Sequence, residues 1–248
     1  MALGLTRLAG SLRVYTALLL LLLGAMPMLA VAVLLLPRTT VWPVATAAFR
    51  LTLRLAGVQV RAKGLEHLPE TGHVLLMGNH VNWLDHLILV SLLRHPVAGF
   101  EKVENFRIPV YGFLMRRWGN VPVSRRSDPE EARRAGEAAS RLLAQGVWFG
   151  MFPEGTRTRT GALGPFKKGG FHLAVDTGAL IVPFAYRGAR EVMATGRWWA
   201  MPGEVSVHFG APIEASAYGK ARLDALLIDT REAIKHLSAG AEAAGTTA

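Results

Sequence analysis

The sequence has 248 residues, of which 51% are hydrophobic, and a formal net charge of +10. This composition is too apolar for a disordered chain, and the positive charge predicts an anionic partner such as a membrane surface, a nucleic acid or a phosphorylated substrate. Because the sequence contains no cysteine, it has no disulfide framework, thiolate nucleophile or thiolate metal site.

The first predicted element is an uncharged stretch over residues 14–37, long enough for a helix that crosses a bilayer, since a crossing needs about 20 apolar residues. A cleaved secretory signal is the alternative, but the stretch is long for a signal core and leads into a second apolar segment. That segment, residues 41–58, carries Arg50 and Arg54 on one helical face and is typical of an interfacial helix. Residues 1–57 therefore predict a two-helix membrane anchor, which either spans the bilayer or lies in its interface.

Strands and helices alternate over the rest of the chain. Predicted strands occupy residues 58–62, 73–77, 120–124, 147–152, 179–186 and 204–209. Predicted helices occupy residues 84–93, 128–145, 169–177 and 223–237. This alternation predicts an α/β domain over residues 58–237, with a mostly parallel mixed sheet flanked by helices, and a disordered tail over residues 238–248.

Polar residues cluster in two loops that follow predicted strands, where the sites of open α/β sheets gather. The first loop is GNHVNWLDH, residues 78–86. Asn82 followed by Asp85 is typical of a helix N-cap, and in the first helical turn Asp85 can face back toward His80. A carboxylate bonded to one imidazole nitrogen leaves the other free to take a proton, so this pair is a candidate general base. His86 is expected to point elsewhere on the helix, and no ligand at a recognised metal spacing supports a metal site.

The second loop is PEGTRTRTG, residues 153–161. Gly155 permits a sharp turn, and the planar guanidinium of Arg157 suits a phosphate. Composition alone also allows a basic, solvated loop without a ligand.

Four sequence blocks occur in the order found in the 1-acylglycerol-3-phosphate acyltransferases, a family of glycerolipid acyltransferases. The segment NHVNWLD resembles the family's N-H-x4-D motif, and FPEGTRT resembles F-P-E-G-T-R-S with Thr158 in place of Ser. The segment GNVPVSR resembles G-x-[IV]-x-[IV]-D-R, although Ser124 stands where the family commonly has Asp, and IVPF resembles a fourth block. Together the blocks cover residues 65–187.

The resemblance implies a glycerol-3-phosphate acyltransferase-like fold and acyl transfer from acyl-CoA or acyl-carrier protein to the sn-2 hydroxyl of 1-acylglycerol-3-phosphate (lysophosphatidic acid), giving phosphatidic acid for phospholipid synthesis. It implies that His80 is the base and Asp85 its orienting carboxylate, without a covalent intermediate, metal or cofactor. It assigns the substrate phosphate to Lys102, Arg125 and Arg157. Substrate-positioning roles fall to Asn79, Glu154, Gly155 and Thr156.

These substrates imply a protein bound to the phospholipid bilayer, at the cytoplasmic face of a bacterial inner membrane, with no nucleic acid partner. The alternatives are acyl transfer to another lysolipid, such as a lyso-ornithine lipid, and hydrolysis of the acyl thioester by water that His80 activates. A nucleic-acid-binding module would be expected to carry a basic stripe with interleaved aromatic residues, whereas the basic residues cluster at the motif loops and beside the anchor.

Overall fold

A computed structural model describes residues 2–124 and 128–239. The strands in these ranges are β1 (Val58–Lys63), β2 (Val74–Gly78), β3 (Val97–Lys102), β4 (Val121–Val123), β5 (Trp148–Met151), β6 (Leu180–Arg187), β7 (Gly203–Phe209) and β8 (Ile213–Glu214). The α-helices are α1 (Ala2–Leu20), α2 (Met26–Leu35), α3 (Arg38–Leu55), α4 (Asp85–Leu92), α5 (Tyr111–Trp118), α6 (Pro129–Ala144), α7 (Gly169–Thr177), α8 (Ala189–Val192) and α9 (Leu223–Ala239). A π-helical turn, Leu21–Ala25, joins α1 to α2.

All of these strands belong to one sheet, in the order β1-β7-β6-β2-β5-β3-β4, and β8 pairs with β6. Neighbouring strands are parallel except where β6 meets β7 and β8, so the predicted mostly parallel mixed sheet is confirmed. Because β2 and β5 are parallel neighbours, their carboxyl ends lie at the same edge of the sheet. The two polar loops, residues 78–86 and 153–161, therefore meet at that edge.

The sequence analysis did not predict β3, which lies between β4 and β5. Its apolar run is interrupted by Gly99, which weakens the strand signal. A Cβ at Gly99 would lie 2.8 Å from the carbonyl oxygen of Gly150 in β5, so the glycine permits a close approach of the two strands. At the other end of the chain, Ser238 and Ala239 complete α9 instead of starting the predicted tail. The remainder of that tail, residues 240–248, lies outside the described residues.

The N-terminal helices lie along the α/β domain. Within the described ranges, Gly4–Leu35 is the one helical run long and apolar enough to cross a membrane, by length and composition alone. Near its start, the hydroxyl of Ser11 accepts a hydrogen bond from the backbone N–H of Ala200 at 3.1 Å. Near its end, the guanidinium of Arg117 donates to the carbonyl oxygen of Val33 at 3.0 Å. Both ends of the run are therefore bonded to the same domain.

The hydrophobic core continues from these helices into the sheet. Trp42 of α3 is buried, and its indole N–H donates to the carbonyl oxygen of Leu93 at 3.1 Å. Buried Leu53 of α3 belongs to the same apolar cluster as Leu76 of β2. A second cluster, which includes Phe171 of α7, packs on the opposite face of the sheet. Helices therefore cover both faces, and α3 supports the face that carries α4.

We expect Gly78→Ala to lower the free energy of unfolding by about 1–3 kcal/mol, the usual cost of overpacking a core. A Cβ at Gly78 would lie 2.4 Å from the ring of Phe184, which is fully buried. Gly136→Ala in α6 is the matched control, because nothing lies within 4 Å of the added Cβ and alanine favours the helix. Urea unfolding of both variants in detergent, followed by circular dichroism, measures the difference. A Gly78→Ala variant as stable as the wild type would contradict the prediction.

Candidate active site

His80 and Asp85 form a direct pair at the carboxyl end of β2. Nδ1 of His80 lies 2.8 Å from Oδ2 of Asp85. The side chain of Asp85 is fully buried, whereas that of His80 keeps 17% of its surface exposed. Because the carboxylate accepts a hydrogen bond from Nδ1, the neutral imidazole has its hydrogen on that nitrogen, and Nε2 is the atom that can accept a proton. The structure thus brings together the two residues that the sequence pairs.

Two backbone N–H groups also fix the carboxylate of Asp85. Its Oδ2 accepts hydrogen bonds from the backbone N–H of Val81 at 2.6 Å and from that of Asn82 at 2.9 Å. The predicted N-cap at Asn82 is wrong, because α4 begins only at Asp85. Instead, the amide of Asn82 accepts from the N–H of Leu84 at 2.7 Å and donates to the carbonyl oxygen of Ala189 at 2.7 Å. Residues 80–84 therefore form a turn around the carboxylate, and this turn delays the start of the helix.

Glu154 joins the two polar loops to each other. Its Oε1 accepts a hydrogen bond from the backbone N–H of His80 at 3.1 Å, and its Oε2 accepts one from the N–H of Gly164 at 2.8 Å. The backbone N–H of Thr158 donates to the carbonyl oxygen of His80 at 2.8 Å. Glu154 is buried, with both carboxylate oxygens bonded to the main chain. Glu154 therefore links the two loops, and its predicted role in positioning the substrate stays a prediction.

Asn79 is likewise bonded to the main chain. Its side-chain oxygen accepts from the backbone N–H of Tyr186 at 2.8 Å, and its side-chain nitrogen donates to the carbonyl oxygen of Tyr186 at 3.2 Å. This buried residue ties the end of β2 to β6, and its predicted role in positioning the substrate stays a prediction.

Tyr186 is a supporting residue that the sequence analysis missed. Its hydroxyl donates to the carbonyl oxygen of Asp85 at 2.7 Å. Burial and, secondarily, the charge of Asp85 raise the pKa of the Tyr186 hydroxyl well above its usual value, so it remains a protonated donor. The sequence signal was limited to the position of this tyrosine at the end of a predicted strand.

Phe152 and His86 surround the ring of His80. The rings of His80 and Phe152 are stacked, with centroids 4.1 Å apart and planes within 4°. His86 approaches edge-on, with its centroid 5.8 Å from that of His80. The prediction that His86 points elsewhere is wrong, because its ring, in the first turn of α4, lies edge-on to both His80 and Phe152. His86 is exposed, but the protein atoms packed around its ring, and then the adjacent His80, lower its pKa, which favours the neutral ring.

Of the three predicted phosphate-binding residues, Arg157 and Lys102 lie within the described part of the chain. The guanidinium carbon of Arg157 lies 4.8 Å from the centroid of the Trp83 ring, beside the loop that holds the pair. Lys102 is exposed at the end of β3, and its Nζ lies 3.6 Å from the carboxylate of Glu104. Arg125 lies outside the described residues. Arg157 is therefore the predicted phosphate ligand whose place in the site is the best defined.

The turn at Gly155 brings a further cation to the second loop. Gly155 has φ = +67°, a conformation that favours glycine. A Cβ there would lie 2.9 Å from Cε of Lys167 and 3.0 Å from its Nζ, so this ammonium group lies over the loop. Thr156 is exposed beside it. In the described parts of the chain, no three His, Asp or Glu side chains are grouped so that they could hold a metal ion.

We expect Glu154→Gln to lower the free energy of unfolding by about 1–3 kcal/mol, because the new amide nitrogen faces a backbone N–H donor that then has no acceptor. Glu232→Gln in α9 is the matched control, since this exposed carboxylate makes only surface ion pairs, with Lys235 at 3.1 Å and Arg231 at 3.8 Å. Thermal unfolding of both variants in the same detergent compares them. Equal melting temperatures of the two variants would show that the contact between the loops does not stabilise the fold.

Comparison with known proteins gives two kinds of relationship. The family model described as Acyltransferase matches residues 59–187, about half of the chain. A 1-acyl-sn-glycerol-3-phosphate acyltransferase of Borreliella burgdorferi is 35% identical over 137 residues, which cover 55% of this chain and 54% of that relative. A protein of the same name from Pseudomonas aeruginosa is 28% identical over 172 residues, covering 69% of this chain and 66% of that relative. The chain thus spans about half to two thirds of these relatives.

A solved structure resembles almost the whole chain. It is the crystal structure of the 1-acyl-sn-glycerophosphate (LPA) acyltransferase PlsC from Thermotoga maritima, with a TM-score of 0.82 and 22% sequence identity. The superposition covers 96% of this chain and 98% of that one, and so includes the N-terminal helices. At this identity the likeness establishes the fold.

Proposed function

The chain belongs to the acyltransferase family, and we propose that it transfers an acyl chain from acyl-CoA or acyl-carrier protein to the sn-2 hydroxyl of 1-acylglycerol-3-phosphate. The observation that carries this proposal is the 2.8 Å contact of His80 with buried Asp85, beside a loop that bears Arg157. The names of the relatives from Borreliella and Pseudomonas support the same acceptor. The product is phosphatidic acid, a precursor for phospholipid synthesis.

The reaction needs one proton acceptor. Nε2 of His80 takes the proton of the sn-2 hydroxyl while the hydroxyl oxygen attacks the carbonyl carbon of the thioester. Asp85 stabilises the imidazolium that forms, because its carboxylate faces Nδ1. The tetrahedral intermediate collapses when its carbon–sulfur bond breaks, and His80 returns the proton to the departing sulfur. The ester and a free thiol are the products, with no acyl group on the enzyme.

The acceptor's phosphate requires a cation near this base. Arg157 fits because a guanidinium offers a planar array of donors to phosphate oxygens. The backbone bond from Thr158 to His80 keeps the arginine loop beside the dyad. Arg125 and Lys102 remain proposed partners for the same phosphate, and the exposed position of Lys102 makes it accessible to a charged ligand.

We propose that the N-terminal helices hold this reaction at a membrane surface. The run Gly4–Leu35 has 32 residues and is about 48 Å long at 1.5 Å per residue, longer than the ~30 Å hydrocarbon core of a bilayer. Because Ser11 near its start and Val33 near its end bond to the α/β domain, it lies along that domain, with apolar side chains such as Leu23 and Met28 exposed. This arrangement supports the proposed interfacial anchor, and the proposed donors, acyl-CoA and acyl-carrier protein, support a location at the cytoplasmic face of a bacterial inner membrane.

An acyl-transfer assay tests the proposed function. The purified protein in mixed micelles is given 1-acylglycerol-3-phosphate, lyso-ornithine lipid or lysophosphatidylcholine, each with acyl-CoA and with acyl-carrier protein as donor. Mass spectrometry of the lipids and a thiol assay follow both products. We expect phosphatidic acid and one free thiol for each acyl chain transferred. A different acylated lipid, or free fatty acid released without an acceptor, would overturn the proposed acceptor or the proposed class of reaction.

A further inference from the structure

Trp83 is an exposed aromatic residue inside the loop that carries the dyad. It stands three residues after His80 and keeps 72% of its surface exposed. An exposed indole by itself needs no explanation. This one lies against a cation, because the guanidinium carbon of Arg157 is 4.8 Å from its ring centroid, within the ~6 Å limit of a cation–π contact.

The main chain fixes the separation of these two side chains. Trp83 belongs to the loop after β2, and Arg157 belongs to the loop after β5. The hydrogen bond from the N–H of Thr158 to the carbonyl oxygen of His80 joins the loops at 2.8 Å, and the carboxylate of Glu154 joins them again at 3.1 Å. These bonds thus hold the two loops together, and they keep the indole beside a long side chain that otherwise has many rotamers.

We propose that Trp83 is a positioning residue that holds Arg157 toward the phosphate of a lipid acceptor in the membrane. Stacking on the indole restricts the guanidinium but leaves its N–H donors, which lie in the plane of the group, available for phosphate oxygens. Trp also favours the membrane interface, where less water surrounds the pair and the cation–π attraction is stronger. This inference rests on the proposed acceptor, because a neutral acceptor would give Arg157 no phosphate to bind.

Replacement of Trp83 by leucine tests this role, since leucine keeps an apolar side chain but removes the π face. We expect Trp83→Leu to raise KM for 1-acylglycerol-3-phosphate about threefold to tenfold. A factor of this size corresponds to the loss of one cation–π contact that is exposed or partly desolvated. The value of kcat is expected to change less, because the phosphate is bound equally in the ground state and in the transition state. Trp83→Phe is expected to recover part of the loss.

Trp198→Leu is the matched control. Trp198 keeps 63% of its surface exposed, but the cations stacked nearby, Arg7 and Arg197, lie over the neighbouring Trp199. Its replacement therefore removes an exposed indole of similar size without disturbing Arg157. In an Arg157→Gln background, Trp83→Leu is expected to have no further effect on KM. Isothermal titration of 1-acylglycerol-3-phosphate into micelles that contain each variant measures the same contact without turnover.

The outcomes separate this inference from the proposed function. If the wild type makes no phosphatidic acid, the proposed function fails, while the titration still measures whether Trp83 supports binding of the phosphate. If the Trp83→Leu and Trp198→Leu variants lose affinity equally, Trp83 only contacts the membrane and the inference is overturned. An unchanged KM for Trp83→Leu, a Trp83→Phe variant no better than Trp83→Leu, or an equal effect in the Arg157→Gln background would each overturn it as well.

Discussion

His80→Ala is expected to lower kcat for acyl transfer about 10²–10⁴-fold, the usual contribution of a positioned general base. Nε2 of this imidazole is the nitrogen that accepts the proton, because the other nitrogen, Nδ1, bonds to buried Asp85. Binding to phospholipid vesicles should not change, because the N-terminal helices do not depend on this side chain. Initial rates with purified protein and flotation with vesicles measure the two properties separately.

His86→Gln is the control that distinguishes the two neighbouring imidazoles. The ring of His86 lies 5.8 Å from that of His80, and Asp85 bonds to His80. We expect His86→Gln to lower kcat less than tenfold, since it removes only an edge-on contact. Transfer by the His80→Ala variant at the wild-type rate would show that His80 is not the base, and loss of activity in His86→Gln alone would assign that role to His86.

The pairing of His80 with Asp85 could be predicted because it is local. The two residues are five positions apart, and the end of a buried strand followed by a helix leaves few ways to arrange their side chains. The same reasoning failed for Asn82 and His86, because both predictions assumed that the helix begins near residue 83. The helix begins two residues later, since the backbone N–H groups of the turn bond to the carboxylate of Asp85.

The roles of Glu154 and Asn79 could not be predicted because their partners are distant in sequence. Glu154 bonds to the backbone of His80, 74 residues away, and Asn79 bonds to that of Tyr186, 107 residues away. A sequence motif shows that such residues occur near a site, but not whether their polar atoms face a ligand or the main chain. Burial decides this, and burial follows from the packing of the whole sheet.

The N-terminal helices illustrate the same limit. Their hydrophobicity predicted a membrane anchor, but the two possible arrangements differ only in what the helix ends contact. The hydrogen bonds between Ser11 and Ala200 and between Arg117 and Val33 favour the arrangement along the domain, and both join residues more than 80 positions apart in sequence. Apolar composition alone predicts a preference for lipid, but it does not predict how the helix is oriented.

Asp85→Asn is expected to lower kcat about 10²–10³-fold while retaining the fold, because the neutral amide cannot stabilise an imidazolium as a carboxylate does. The amide oxygen should occupy the position of Oδ2, where three N–H donors converge from His80, Val81 and Asn82. The amide nitrogen then takes the position of Oδ1, which has no hydrogen-bond partner among the described residues. The tautomer of His80 is thus preserved, and the loss measures the charge of Asp85 alone.

Asp85→Ala separates this electrostatic role from the structural one. Alanine removes the acceptor of all three donors, two of which are backbone N–H groups in the buried turn, so the free energy of unfolding should fall by about 3–5 kcal/mol. Urea unfolding of both variants beside their kcat values makes the comparison. If Asp85→Asn is as unstable as Asp85→Ala, the amide does not replace the carboxylate as acceptor, and the loss of activity reflects disorder of the turn. If Asp85→Asn is stable and inactive, the charge of Asp85 is what His80 requires when it takes the proton of the substrate.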